Sequence, residues 1–186
     1  MRIVGGRMRG THLADVGAGD PAAHLRPTSD RVRESIFNLL VNGGYGNPLA
    51  DARVLDLFAG TGALGLEAIS RGAAEATFVD DGNASRALLR RNIGITRTEE
   101  VTETIRRDAT RLGVNRGAGF DLVFLDPPYG KGLGEKSLAA CVAGGWFALE
   151  ALIVWEEGAP PVAPEGFKML DQRRYGETHV TILRGL

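Results

Sequence analysis

The sequence predicts an α/β protein: a mainly parallel, seven-stranded sheet with helices on both faces, a closing antiparallel hairpin and a small N-terminal β-hairpin extension. Three observations carry this. Short apolar runs alternate with segments of helical period along the 186 residues. The run at 54–58 passes through a glycine turn straight into one such segment, a strand–turn–helix unit. The last two runs, 167–175 and 178–183, flank Gly176 and Glu177 as a hairpin.

Residues 1–13 hold Ile3 and Val4, a glycine-rich turn bearing Arg7 and Arg9, and Thr11 to Leu13, a small hairpin. Residues 14–25 are rich in Ala, Gly and Asp and read as a loop. The chain thus divides into an extension over 1–25 and one domain over 26–186. Thr28, Ser29 and Asp30 all suit the N-cap of a helix reaching about Val41. Its Val32, Ile36, Leu39 and Leu40 recur at helical spacing, and Asn42, Gly43 and Gly44 end it. After the first strand, Ala63, Leu64, Leu66, Ala68 and Ile69 mark a helix over 63–71. Ala76 to Val79 form a second strand, and Asn83 or Ser85 starts a helix carrying Leu88, Leu89 and Ile93. Val101 to Ile105 alternate as a weaker third strand, and Phe120 to Leu125 form an apolar fourth. A helix over about 134–144 and a fifth strand from Leu149 to Trp155 precede the hairpin.

Composition bounds the function. An apolar fraction of 44% and a charged fraction of 24% are ordinary for one soluble domain. A net charge of −1 excludes a global basic field, so any nucleic-acid footprint must be a local patch. Three of the 22 basic residues are Lys and 19 are Arg, a bias that GC-rich coding explains as readily as guanidinium recognition. The single cysteine, Cys141, excludes an intrachain disulfide and a cysteine zinc cluster. His12, His24 and His179 show no ligand spacing, so no metal is expected. The N-terminus has no signal-peptide core, and no apolar run approaches the roughly 18 residues needed to span a bilayer. A cytoplasmic, membrane-free location is expected.

The glycine turn is the centre of the chain. Gly60 and Gly62 allow positive φ and close approach to a ligand, Gly65 lets the helix lie close to its strand, and the helix N-terminus offers N–H groups and partial positive charge. Gly60-x-Gly62-x-x-Gly65 with Asp80 twenty residues beyond Gly60 satisfies the dinucleotide fingerprint, so a nucleoside-bearing cofactor is expected. Four acids mark strand ends: Asp56 within the first run, and Asp80, Asp108 and Asp126 just past the next three. One such acid is ordinarily a turn residue; four in succession at the edge where parallel sheets bind ligands point to a site.

The fourth strand delivers Asp126-Pro127-Pro128-Tyr129. Two prolines remove two N–H donors, so this loop presents carbonyl oxygens and a carboxylate, acceptors only. Such a cradle suits an exocyclic amine: Asp126 and the Pro127 carbonyl hold its two N–H bonds and aim its lone pair at an electrophile. Tyr129 stacks on the base that carries the amine. The bland alternative is a strand end with a surface tyrosine.

Asp56-x-Phe58-x-Gly60-x-Gly62 followed by Asp126-Pro127-Pro128-Tyr129 resembles the S-adenosylmethionine-dependent amino methyltransferases. The stretches 26–38, 55–68 and 174–178 narrow this: together they resemble the RsmD family, enzymes that methylate a guanine N2 in bacterial 16S ribosomal RNA. The similarity runs in order along nearly the whole chain and implies a Rossmann-like class I methyltransferase fold with S-adenosyl-L-methionine as cofactor. It further implies that Gly60, Thr61 and Gly62 pass under the methionine part and that Asp56 anchors its amino group. Asp80, with Asp81 beside it, accepts the ribose hydroxyls, and Asp108 and Ala109 meet the adenine. Arg26 and Thr28 close over the carboxylate. Asp80 stands where the family more usually has Glu, and Met8 where its N-terminal segment often has an aromatic.

The reaction so implied is in-line attack by the guanine N2 on the methyl group, with Asp126, Pro127, Pro128 and Tyr129 as the catalytic loop. The partner is 16S ribosomal RNA, free or within an assembling small subunit, and a monomer is expected. Candidate RNA contacts are Arg7, Arg9, Arg31, Arg33, Arg173 and Arg174. Competing readings are a DNA adenine-N6 or cytosine-N4 methyltransferase, for which 186 residues leave little room for target recognition. An NAD-dependent oxidoreductase fits the glycine turn but finds no acid/base pair, and a non-catalytic RNA-binding module leaves the amine cradle unused.

Overall fold

Consecutive apolar residues in Arg53–Leu57 (β1) demand burial on both faces, which only a central parallel strand provides; Val54, Leu55 and Leu57 are fully buried. In the computed structural model, which describes residues 1–15 and 27–186, α1 (Asp30–Asn42) precedes β1 and α2 (Ala63–Ser70) follows it. Then come β2 (Glu75–Val79), α3 (Asn83–Thr96), β3 (Thr102–Ile105), β4 (Phe120–Leu125), α4 (Leu133–Gly144), β5 (Phe147–Glu157), β6 (Phe167–Tyr175) and β7 (Thr178–Gly185). Short 3-10 turns occupy Glu99–Val101 and Ala109–Arg111.

The sheet order is β3-β2-β1-β4-β5-β7-β6, parallel through β5 and antiparallel at β5–β7 and β7–β6. The order reverses between β1 and β4, so the ligand crevice of an open parallel sheet is expected beyond their C-terminal ends. Alternation assigns side chains to faces. Val54, Phe124 and Val154 join one core with Ile36, Phe37, Leu66 and Leu89, while Leu55, Leu125 and Trp155 join the other with Leu138 and Cys141. Ile3 and Leu13 belong to the first core, so the N-terminal segment packs on the sheet's helical layer. Its hairpin is a single Arg2–His12 antiparallel bridge, with Ile3 N–H donating to the Thr11 carbonyl.

Element boundaries differ from expectation where local geometry intervenes. Of three candidate caps, Ser29 is the N-cap of α1, its Oγ accepting from Val32 N–H. Of the two candidate starts, Asn83 is the first residue of α3, with Gly82 as its N-cap. Phe58 leaves β1 with φ 58°, the left-handed turn that starts the glycine loop. The third strand begins one residue late because Glu99–Val101 coil as a 3-10 turn. The fifth strand is longer at both ends than its apolar run, and the extra residues at its C-terminal end are Glu156 and Glu157. Both are buried.

Candidate active site

The glycine loop is held from below by the protein's own carboxylates. Asp56, 1% exposed, points up from β1 and its Oδ2 accepts the Gly65 N–H at 2.9 Å. Asp80, just past β2, accepts Gly60 N–H through Oδ2 at 2.9 Å and Gly82 N–H through Oδ1 at 2.8 Å. These bonds answer the expectation of unpaired donors at the start of α2: two N–H groups that a phosphate would use already bond to carboxylates. Burial pushes Asp56 well above the usual carboxylate range, and the charges of Asp126 and Asp80 push the same way against the Gly65 bond.

Above the loop lies a cavity of about 840 Å³, within the range of small-molecule sites. Its lining includes Thr28, Asp56, Gly60, Thr61, Asp80, Asp81, Asp108, Asp126, Pro127, Pro128 and Tyr129, so one crevice collects these sequence-predicted residues from five separate segments. Gly62 sits at the N-cap of α2 with φ 80°, where a Cβ would meet the Leu89 side chain at 2.4 Å. Ala109 is buried and packs in the core beneath Asp108. Arg26 lies outside the described residues. Asp108 caps the 3-10 turn after β3: its Oδ1 accepts from Thr110 N–H and Oγ1, and those two bonds hold it below the ordinary carboxylate range.

The loop over 126–129 is fixed at both ends. Glu157 Oε1 accepts Gly130 N–H at 3.0 Å and Gly158 N–H at 2.9 Å, tying the loop to the end of β5. Tyr129 shares a hydrogen bond with Thr178 Oγ1 at 3.2 Å, and its ring lies where a Cβ on Gly158 would be only 2.9 Å away. Asp126 Oδ2 accepts from the Thr28 hydroxyl at 3.2 Å. The same hydroxyl lies 3.4 and 3.5 Å from the two carboxyl oxygens of Glu156. Burial, then the nearby Asp126 charge, pushes Glu156 well above the ordinary range. Reading the sequence missed Glu156 because the fifth apolar run ends at Trp155; an acid directly past an apolar strand, as at three other strand ends, was the signal.

Chemically the lining is made of acceptors. Among its described residues stand Asp56, Asp80, Asp81, Asp108, Asp126, Glu156 and Glu177 against Lys131. Such a surface fits a cationic ligand bearing hydroxyl and amino donors and repels a pyrophosphate. Cys141 takes no part: it is buried under the opposite face of the sheet, and burial pushes its thiol up to about 12. No group of His, Cys, Asp and Glu among the described residues has the arrangement of a metal site, and no described helix is long and apolar enough to cross a membrane.

The arginines separate into two kinds. Arg7, Arg9, Arg31, Arg173 and Arg174 are exposed; Arg173 pairs with Asp171 at 3.0 Å, and Arg174 Nε donates to the Gly176 carbonyl at 2.8 Å. Arg33 is no RNA contact. It is 0% exposed, pairs with Asp30 at 2.8 Å, lies 3.5 Å from Glu67 and donates to the Arg2 carbonyl. Solvent-facing Arg31 lies two residues away on the opposite side of α1, and the alternation of charged residues along α1 hid which side faces in.

The family described as Conserved hypothetical protein 95 matches residues 1–184. The chain is 36% identical over 180 residues to "Ribosomal RNA small subunit methyltransferase D" of Escherichia coli strain K12, spanning 95% of this chain and 86% of that one. The protein of the same name in Haemophilus influenzae is 33% identical over 182 residues, spanning 95% and 89%. The solved structure of yhhF from Escherichia coli superposes with a TM-score of 0.82 at 35% identity, covering 100% of this chain and 97% of that one.

Proposed function

This chain belongs to the RsmD family, and from that premise we propose that it transfers a methyl group from S-adenosyl-L-methionine to the exocyclic N2 amine of a guanine in 16S ribosomal RNA. The observation that carries this reading is the pairing of an acceptor-only loop, 126–129, with a cavity whose carboxylates already bond the glycine-loop N–H groups. A dinucleotide finds neither free N–H donors at Gly60 and Gly65 nor cationic relief for its phosphates. A sulfonium that also bears an amino group and ribose hydroxyls finds acceptors throughout.

When bound, S-adenosyl-L-methionine supplies a methyl group on a leaving group that needs no further activation. The chain's contribution is positioning. Asp126 and the Pro127 carbonyl take the two N–H bonds of the amine, Pro128 keeps the loop free of competing donors, and Tyr129 stacks on the flipped base. Asp126 or water receives the proton that the amine loses. Asp56 and Asp80 would hold the amino and ribose groups, Asp81 would add to the ribose side, and Asp108, beside Ala109, would take the adenine. Arg7, Arg9, Arg31, Arg173 and Arg174 supply the local RNA footprint. The protein acts as a cytoplasmic monomer on RNA, free or within an assembling small subunit.

Titration calorimetry with S-adenosylmethionine and with NAD tests the cofactor: the former is expected to bind and the latter not. For the chemistry, Asp126→Ala is expected to keep methyl-donor binding and lose about 100-fold or more in transfer rate. NAD binding of equal strength, or transfer at full rate by the variant, contradicts the reading.

A further inference from the structure

Among the described residues, Glu156 is the one buried acid at the cavity that the proposed chemistry leaves without a task. It lies one residue past the last paired position of β4 and β5, Leu125↔Trp155, on the same sheet face as Asp56. It is 2% exposed. Among the described residues, the groups facing it are Thr28 ahead of α1, Asp56 on β1, Asp126 after β4 and the Arg33 guanidinium of α1. Thr28 Oγ1 stands between two carboxyl groups, 3.2 Å from Asp126 and 3.4 Å from the nearer oxygen of Glu156.

A hydroxyl has one proton to donate. With both carboxyls ionised, it satisfies one of them and faces the other lone pair to lone pair. A continuous chain therefore requires one further proton, and the deeper carboxyl is its place, because desolvation penalises a charge most where water is farthest.

We propose that Glu156 is a positioning residue: as a neutral acid it donates to Thr28 Oγ1, which turns the hydroxyl toward Asp126 and fixes the Asp126 carboxylate against the amine of the target base. Its link to the reaction rests on the methyltransferase reading above; the location of the proton does not. Burial and the Asp126 charge both act in the direction the chain requires. As pH rises through the titration of Glu156, a second carboxylate competes for the single Thr28 proton, and Asp126 loses the Thr28 hydrogen bond that sets its orientation. Transfer then falls on the alkaline side.

Two measurements test this. In unliganded wild-type protein labelled with ¹³C at the glutamate carboxyl carbons, one signal is expected to titrate well above the ordinary glutamate value of about 4.3, and to vanish in Glu156→Gln. A Glu156 signal that titrates in the ordinary range overturns the proposal without any assay of activity. In pH–rate profiles of methyl transfer, Glu156→Gln, whose amide donates at every pH, is expected to keep transfer near neutral pH and to lack the alkaline decline. Glu156→Ala is expected to lose about tenfold or more in kcat with a small change in KM. Superimposable wild-type and Glu156→Gln profiles overturn the role in positioning. Absence of transfer in the wild type instead counts against the proposed function and leaves the labelled-carboxyl result to decide where the proton sits.

Discussion

Asp56 holds the glycine turn while lining the cavity. It keeps a carboxyl under a turn of glycines, where its Oδ2 receives the Gly65 N–H, and burial raises its folded-state pKa. An acid raised in this way stabilises the fold fully below its unfolded value of about 3.9, and that stability is lost as pH rises through the folded value. Asp56→Asn keeps an acceptor for Gly65 and removes the charge. Its melting temperature relative to the parent is therefore expected to climb as pH rises above about 4, as thermal melts at a series of pH values will read. A difference that stays constant with pH contradicts this. The same variant is expected to weaken methyl-donor binding by about tenfold, the loss of one charge-assisted hydrogen bond. At this scale the sequence was informative about residue type and silent about partners. It marked Asp56, Asp80, Asp108 and Asp126, but the Gly60 and Gly65 N–H groups they or their neighbours occupy are settled only in three dimensions. Glu156 was invisible for a related reason: its burial follows from the length of β5, which apolar patterning alone ends at Trp155.

Elements meet at Glu67 and Gly65 on α2. Glu67 is 0% exposed and accepts Val4 N–H at 3.0 Å, Gly5 N–H at 2.8 Å and Arg71 Nε at 2.9 Å, with Arg33 Nε 3.5 Å away. One carboxylate thus ties the N-terminal segment, α1 and α2 together. Glu67→Ala leaves two backbone donors and a buried guanidinium without it, and is expected to cost about 3–5 kcal/mol by denaturant unfolding. Two residues earlier, a Cβ at Gly65 would stand 2.4 Å from the Phe78 ring and 3.2 Å from Asp56 Oδ2. Gly65→Ala is expected to cost about 1–3 kcal/mol through overpacking and to weaken methyl-donor binding by moving Asp56. The succession of strands and helices and the placement of α2 were legible from apolar runs and glycines. The buried network was not: Arg33 reads as a surface charge until the inward face of α1 is known, and nothing in the pattern of α2 singles out Glu67.

The whole molecule divides its charge: carboxylates line the cavity, and exposed arginines stand on the N-terminal turn, α1 and the β6–β7 hairpin. With a net charge of −1, attraction to RNA comes from that distribution and not from the total. RNA affinity is therefore expected to fall steeply as salt rises, while methyl-donor affinity changes little. Replacing Arg7 and Arg9 together by Ala is expected to weaken RNA binding and reduce the salt slope by about 1–2, with methyl-donor binding unchanged. An unchanged slope removes the N-terminal turn from the footprint. The most direct test of the central claim is nucleoside analysis of 16S RNA after incubation with the protein and isotopically labelled S-adenosylmethionine. The expected product is N2-methylguanosine carrying the label; label on an adenine or cytosine amine, on a ring carbon, or on no nucleoside at all contradicts it.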